Sequence, residues 1–172
     1  MSSAWLICFR LLHIVVGVFW VGAVTFFAFL LFPAVRESGP AGGAVMQRLM
    51  ARGVNLWLMA AAILTVLSGL ALYWHDSAGF SSTDWLASGP GRTFGLGGVF
   101  ALIGIGIGMG VNVRAAKQLA ALTAGFQAAG RPPTPDETAT VQRLQSRLAK
   151  GGVLVAVLLL LAAAAMAVAR YT

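Results

Sequence analysis

An all-α, polytopic membrane protein is the fold class that three observations predict: a four-transmembrane-helix bundle with a cytoplasmic helical hairpin extension. Hydrophobic residues make up 59% of the 172-residue chain and charged residues only 10%, whereas a soluble domain devotes about a quarter of its residues to charge. Mean hydropathy is +0.85. The apolar residues are gathered into four runs, each near the ~20 residues that cross a ~30 Å hydrocarbon layer. A soluble globule of this length could not bury so much apolar surface in one core. Lipid is therefore the expected solvent. The same composition excludes a nucleic-acid-binding domain, despite a formal charge of +7 and a pI of about 11.2. Cys8, the only cysteine, excludes an intrachain disulfide scaffold.

The first span runs from about Leu11 to Phe32, after Arg10 and before Pro33, Arg36 and Glu37. Its apolar stretch is too long for a signal-peptide core, and no small-x-small site closes it, so it is expected to be retained. The second covers about Val54 to Trp74, between Arg52 and His75-Asp76. The third runs from about Phe94 to Val113, between Arg92 and Arg114. Its Gly/Ile alternation from Gly104 to Gly110 mimics a strand, but backbone groups in lipid must be satisfied locally, which selects helix. The fourth covers about Gly152 to Ala169, between Lys150 and Arg170. Residues 1–172 thus form a single integral membrane domain.

Nine of the twelve Lys and Arg residues lie in two loops: Arg36, Arg48 and Arg52 in the first, and Arg114, Lys117, Arg131, Arg143, Arg147 and Lys150 in the third. The positive-inside rule makes both loops cytoplasmic and puts both termini outside. The first loop contains Val45, Met46, Leu49 and Met50, the pattern of a short interfacial amphipathic helix. In the third, about 114–150, Leu119, Leu122 and Phe126 continue the third span as an amphipathic helix. Gly130-Arg131-Pro132-Pro133 stops that helix. Thr134 then reads as an N-cap, Pro135 as the first helical residue and Glu137 as the capping-box partner. Val141, Leu144 and Leu148 lead from there into span four.

Ionisable residues within a membrane are expensive and are functional candidates by default. The only two histidines are His13 and His75. If Arg10 and Asp76 mark a common level, their depths differ by only about two residues, or ~3 Å. Two imidazoles at one depth on adjacent helices could ligate a metal, and haem b is the cofactor that an apolar bundle suits. Arg10, His13, Gly17 and Trp20 share a face of the first span, where Arg10 would meet a propionate and Gly17 would leave room for a flat ring. Thr65 and Ser68 share a face with His75 and could orient an imidazole. Plainer readings stand beside these. His13 could bond a neighbouring helix, His75 could be an interfacial residue, Arg10 could snorkel, and the five tryptophans could mostly form an aromatic belt. The glycine pairs Gly104/Gly108 and Gly106/Gly110 match helix-packing spacing. Copper at His13, His75, Asp76 and Cys8 is an alternative to haem.

The motif Leu12-His13 through Trp20-Val21-Gly22 resembles the opening of CopD-like (copper resistance D) bacterial membrane proteins. The resemblance continues through Phe32-Pro33-Ala34, the Ser38–Gly43 turn, Leu64-Thr65-Val66-Leu67-Ser68-Gly69 and Met166–Tyr171. It covers the whole chain and is closest to the small four-helix relatives of that group. It implies a bacterial inner-membrane location and, from the longer members, copper handling; the additional helices of those members are missing here. The Leu12-His13 and Trp20 context also resembles HemJ-type protoporphyrinogen oxidases, which place a haem-associated histidine there. Their residues downstream of the tryptophan are not found at Val24 to Leu31, so that activity is not carried over.

The leading expectation is a haem b protein of membrane electron transfer, with quinone as a candidate partner. In the alternative, the chain is a cofactor-free structural or assembly subunit of a larger membrane complex, or a homo-oligomer.

Overall fold

The computed structural model describes residues 3–172, except the side chains of Pro40 and Gln127. No strand occurs among them. Helix α1 comprises Ser3–Phe26, a π-turn at Phe27–Leu31, and Phe32–Glu37; α2 is Gly39–Ala51; α3 is Val54–Asp76; α4 is the short Thr83–Ala87. Helix α5 comprises Gly89–Ile107, a π-turn at Gly108–Asn112, and Val113–Ala129. Helix α6 is Pro135–Val168 and ends in a 3₁₀ turn at Ala169–Tyr171. Four of these six, namely α1, α3, α5 and α6, are long and apolar enough to cross a membrane.

The four long helices overrun the apolar runs at most of their ends. Arg10 does not interrupt α1, because an arginine is a good helix former whatever the solvent around it. Before Phe94, Ser88 caps α5 by accepting from the Gly91 N–H at 3.2 Å, and Pro90 lies in its first turn. The apolar run marks the lipid-length stretch; caps and breakers mark the helix.

Two antiparallel pairs make the bundle. In α1/α3, His13 meets Gly69 and Gly17 meets Thr65. In α5/α6, Gly97 meets Met166, Gly104 meets Leu159, and Asn112 meets Gly151. In each series one number falls as the other rises. Contacts of α1 with α6 and of α3 with α5 close the ring, giving up-down-up-down order. Trp20, Ala61, Ala62, Ala101, Val155, Leu159 and Ala162 form a core drawn from all four helices. Trp20 is only 5% exposed, so it belongs to the core rather than to an aromatic belt. Outside this core the spans present apolar side chains such as Leu11, Val18, Leu67 and Leu102, a surface compatible with lipid contact.

The glycines that pack are not the pairs expected. A Cβ on Gly97 would lie 3.1 Å from Met166 Cγ and 3.2 Å from the Ala162 carbonyl oxygen, and one on Gly104 would lie 3.5 Å from Leu159 Cδ2. Gly106, Gly108 and Gly110 have nothing within 4 Å of that position. Gly97 and Gly104 are seven residues apart and so lie on one stripe, whereas Gly106 and Gly110 fall outside it; Gly108 continues the stripe by spacing but opens the π-turn, where it meets nothing.

Beyond the spans, α5 and α6 run on as the expected hairpin. Gly130 adopts a positive φ of 60°, and Thr134 and Glu137 form a complete capping box. Arg131 donates to both Glu137 carboxylate oxygens at 2.8 Å, and the Thr134 N–H donates to Oε2 at 2.8 Å. The start of α1 at Ser3 and the C-terminal Thr172 lie at the opposite end, where Thr93 and Thr172 hydroxyls are 3.2 Å apart.

Two predictions follow from these contacts. Gly97→Val should lower the thermal stability of the detergent-solubilised protein by about 1–3 kcal/mol through overpacking, while Gly98→Ala, which meets nothing within 4 Å, should leave it unchanged or raise it. Circular dichroism melts compare the two. In the hairpin, the Arg131 guanidinium and the Thr134 N–H hold the Glu137 carboxyl down at about 2. Its contribution to hairpin stability is therefore full above the ordinary value of 4.5 and lost as pH falls towards about 2. Carbon-13 NMR of the carboxyl should give that low midpoint, and Arg131→Gln should move it up.

Candidate functional site

His13, Thr65 and Ser68 meet at the α1/α3 seam. His13 Nδ1 lies 2.8 Å from the Thr65 carbonyl oxygen. A carbonyl can only accept, so Nδ1 carries the proton and, in the neutral ring, Nε2 keeps the lone pair. Among the described residues Nε2 has no partner, and His13 is partly exposed. Ser68 Oγ is 3.4 Å from Nδ1, while its own hydroxyl donates to the Leu64 carbonyl at 2.6 Å.

Gly69 makes this arrangement possible. The Thr65 carbonyl points along the helix towards residue 69, one turn on, where a side chain would cover it. A Cβ on Gly69 would lie 2.6 Å from His13 Cε1 and 3.0 Å from Nδ1. Glycine therefore opens the carbonyl to the imidazole. Within the Leu64–Gly69 motif nothing marks Gly69 for this role; the available signal is a glycine one turn after Thr65 on a helix that packs against an intramembrane-length helix carrying a histidine.

The seam separates the predicted site residues into two groups. His13, Thr65 and Ser68 come together. Gly17 does not leave room for a flat ring, because a Cβ there would already be 3.3 Å from Thr65 Cγ2. Trp20 is buried in the core. Arg10 lies one turn outward on the His13 face and is exposed.

His75 lies elsewhere. His13 packs at the level of Thr65 to Gly69, and His75 is six residues beyond Gly69, about 9 Å further along α3. The near-common depth expected from aligning Arg10 with Asp76 is thus not the depth of the pairing, which brings His75 level with Ile7 instead. Its Nδ1 is 3.2 Å from Asp76 Oδ1, with side chains 33% and 36% exposed, an exposed pair of small energetic weight. The residues present fit one nitrogen ligand, His13 Nε2, and do not fit a bis-histidine centre within one chain. Nor do His13, His75, Asp76 and Cys8 form a copper centre: no three His, Cys, Asp or Glu side chains gather among the described residues.

Three buried oxygens, Thr25 Oγ1, Thr65 Oγ1 and Asn112 Oδ1, have no partner among the described residues. Asn112, the lone amide of span three, went unremarked in the sequence; it sits in the α5 π-turn against Gly151.

No protein-family model, curated protein or solved structure matches the chain. The resemblance to CopD-like and HemJ-type proteins therefore rests on the quoted motifs alone.

The His13–Gly69 contact can be tested by a double-mutant cycle. Gly69→Ala should cost about 1–3 kcal/mol by overpacking, and much less once His13→Ala has removed the ring. Equal costs in the two backgrounds, read from thermal or denaturant unfolding, would show that the contact is not formed.

Proposed function

We propose that this chain is a bacterial inner-membrane protein that holds haem b through His13 and takes part in membrane electron transfer. The hairpin would face the cytoplasm and both termini the outside, as the clustering of Lys and Arg in two loops supports. The observation that carries the cofactor reading is the Nδ1–H bond to the Thr65 carbonyl, with the Nε2 lone pair left over.

An imidazole held in this way is oriented and tautomerically fixed, and its acceptor nitrogen is made more basic by the hydrogen bond on the other. Ser68 lends a second oxygen beside the same N–H. Arg10, one turn outward, supplies an exposed guanidinium for a propionate. Bound there, haem would supply a one-electron couple, and a quinone from the bilayer is the partner class this would serve. His75 has no ligand role in this reading.

A second reading has its own support. The imidazole lodged over Gly69 fastens α1 to α3 without any cofactor, as a structural or assembly subunit of a larger membrane complex would require.

Purification in detergent from haem-replete cells, followed by a visible spectrum, separates the two. The cofactor reading expects a Soret band that His13→Ala abolishes and His75→Ala preserves. A wild-type protein with no Soret band, destabilised by His13→Ala, would favour the fastening reading.

A further inference from the structure

At the other end of the bundle, Arg143, Arg147 and Lys150 follow one another along α6 at spacings of four and three, which puts them on one face. All three are exposed, and no ion pair involves them among the described residues. The acidic residues of α6, Asp136 and Glu137, precede Arg143 by seven and six residues, about two turns of helix, and Glu137 is occupied by Arg131. These three cations line a groove of about 530 Å³ with Ser146 and Gly151, and its apolar side chains are Ile107 and Val111 of α5 and Leu154 of α6. The groove is therefore cationic at its hairpin end and apolar where it enters the span.

Like charges at these helical spacings repel, so the cluster is completed by an anion. A small anion would answer the charge and leave the apolar walls bare. An amphiphile with an anionic head answers both. The position suits it as well, since Lys150 immediately precedes the apolar run of α6 and therefore stands at headgroup level. Gly151, next to Lys150, is where the buried Asn112 oxygen presses on α6, so the α5 π-turn forms part of the groove wall.

We propose that this groove binds one anionic phospholipid from the bilayer. Its phosphate lies on Arg143, Arg147 and Lys150, and an acyl chain runs along Ile107, Val111 and Leu154. The proposal depends on the four long helices spanning a membrane and is independent of the haem reading.

The test uses full-length protein reconstituted into phosphatidylcholine vesicles with and without phosphatidylglycerol. Flotation on a density gradient reports insertion, and native mass spectrometry after mild extraction reports the lipid retained. The expected result is retention of one phosphatidylglycerol in preference to phosphatidylcholine. Arg143→Gln/Arg147→Gln/Lys150→Gln should cut that preference roughly a hundredfold, from about 1 kcal/mol per basic group. Arg36→Gln/Arg48→Gln/Arg52→Gln removes the same charge from the neighbouring loop and should preserve it. The proposal is overturned by an unchanged preference in the groove variant, by an equal loss in the loop variant, or by displacement of the lipid with millimolar inorganic phosphate. A protein that does not float overturns the spanning reading and this proposal together; a floated protein without preference overturns the proposal alone.

Discussion

Between helices surrounded by hydrocarbon there is little hydrophobic gain in association, so close backbone approach has to supply the contact energy. The packing of this bundle has the form that constraint demands. Its buried apolar residues are mostly alanines: Ala61 and Ala62 on α3, Ala101 on α5, Ala156 and Ala162 on α6. Gly97 and Gly104 let α5 settle on α6, and Gly17 and Gly69 let α1 settle on α3. Each small residue is matched by a larger group from the facing helix: Met166, Leu159, Thr65 and His13. The register of each pair is set by these matches, and the depth of every polar group follows from the register.

This explains why the positions of the histidines could not be read from the apolar runs. Run ends locate a helix in the bilayer to within a turn or two, since side chains such as arginine reach the interface from several depths. The Arg10 and Asp76 flanks suggested a shared level for His13 and His75. Small-residue contacts decide instead, and they put His13 opposite Thr65 and Gly69. The same reason separates Gly97 and Gly104 from the equally regular Gly106/Gly110 pair, which meets nothing. Spacing identifies stripes on a helix, and only a partner selects among them.

Features governed by local chemistry were legible. Thr134, Pro135 and Glu137 carry the capping box in three residues, and Gly130 with the two following prolines stops the preceding helix; neither depends on a distant partner. The four long apolar helices were legible for the same reason, being continuous runs of one composition. The two π-turns were not, because nothing in Phe27–Leu31 or Gly108–Asn112 distinguishes an inserted residue from ordinary helix. Both turns touch α6, so their placement belongs to tertiary packing. Asn112 is the exception that could have been noticed, a single amide in an apolar run.

The core also limits how the α1/α3 site can be used. Trp20 is seven residues after His13, on the same face, and among the described residues it is the one buried aromatic side chain in a core shared by all four helices. Moving α1 away from α3 far enough to admit a flat ring would break the Gly17–Thr65 contact and pull Trp20 from Ala61 and its neighbours. Vacating a side chain of that size costs about 3–5 kcal/mol, and the Thr65 hydrogen bond would be lost with it. Both costs favour a closed seam. A group that takes the Nε2 lone pair has to approach from the outer surface of the α1/α3 pair, where His13 is partly exposed and Arg10 lies one turn away. A site on that surface would be walled on one side only by this chain. Its other wall would have to come from lipid or a second protein surface, which would link the cofactor reading to the oligomeric state of the bundle.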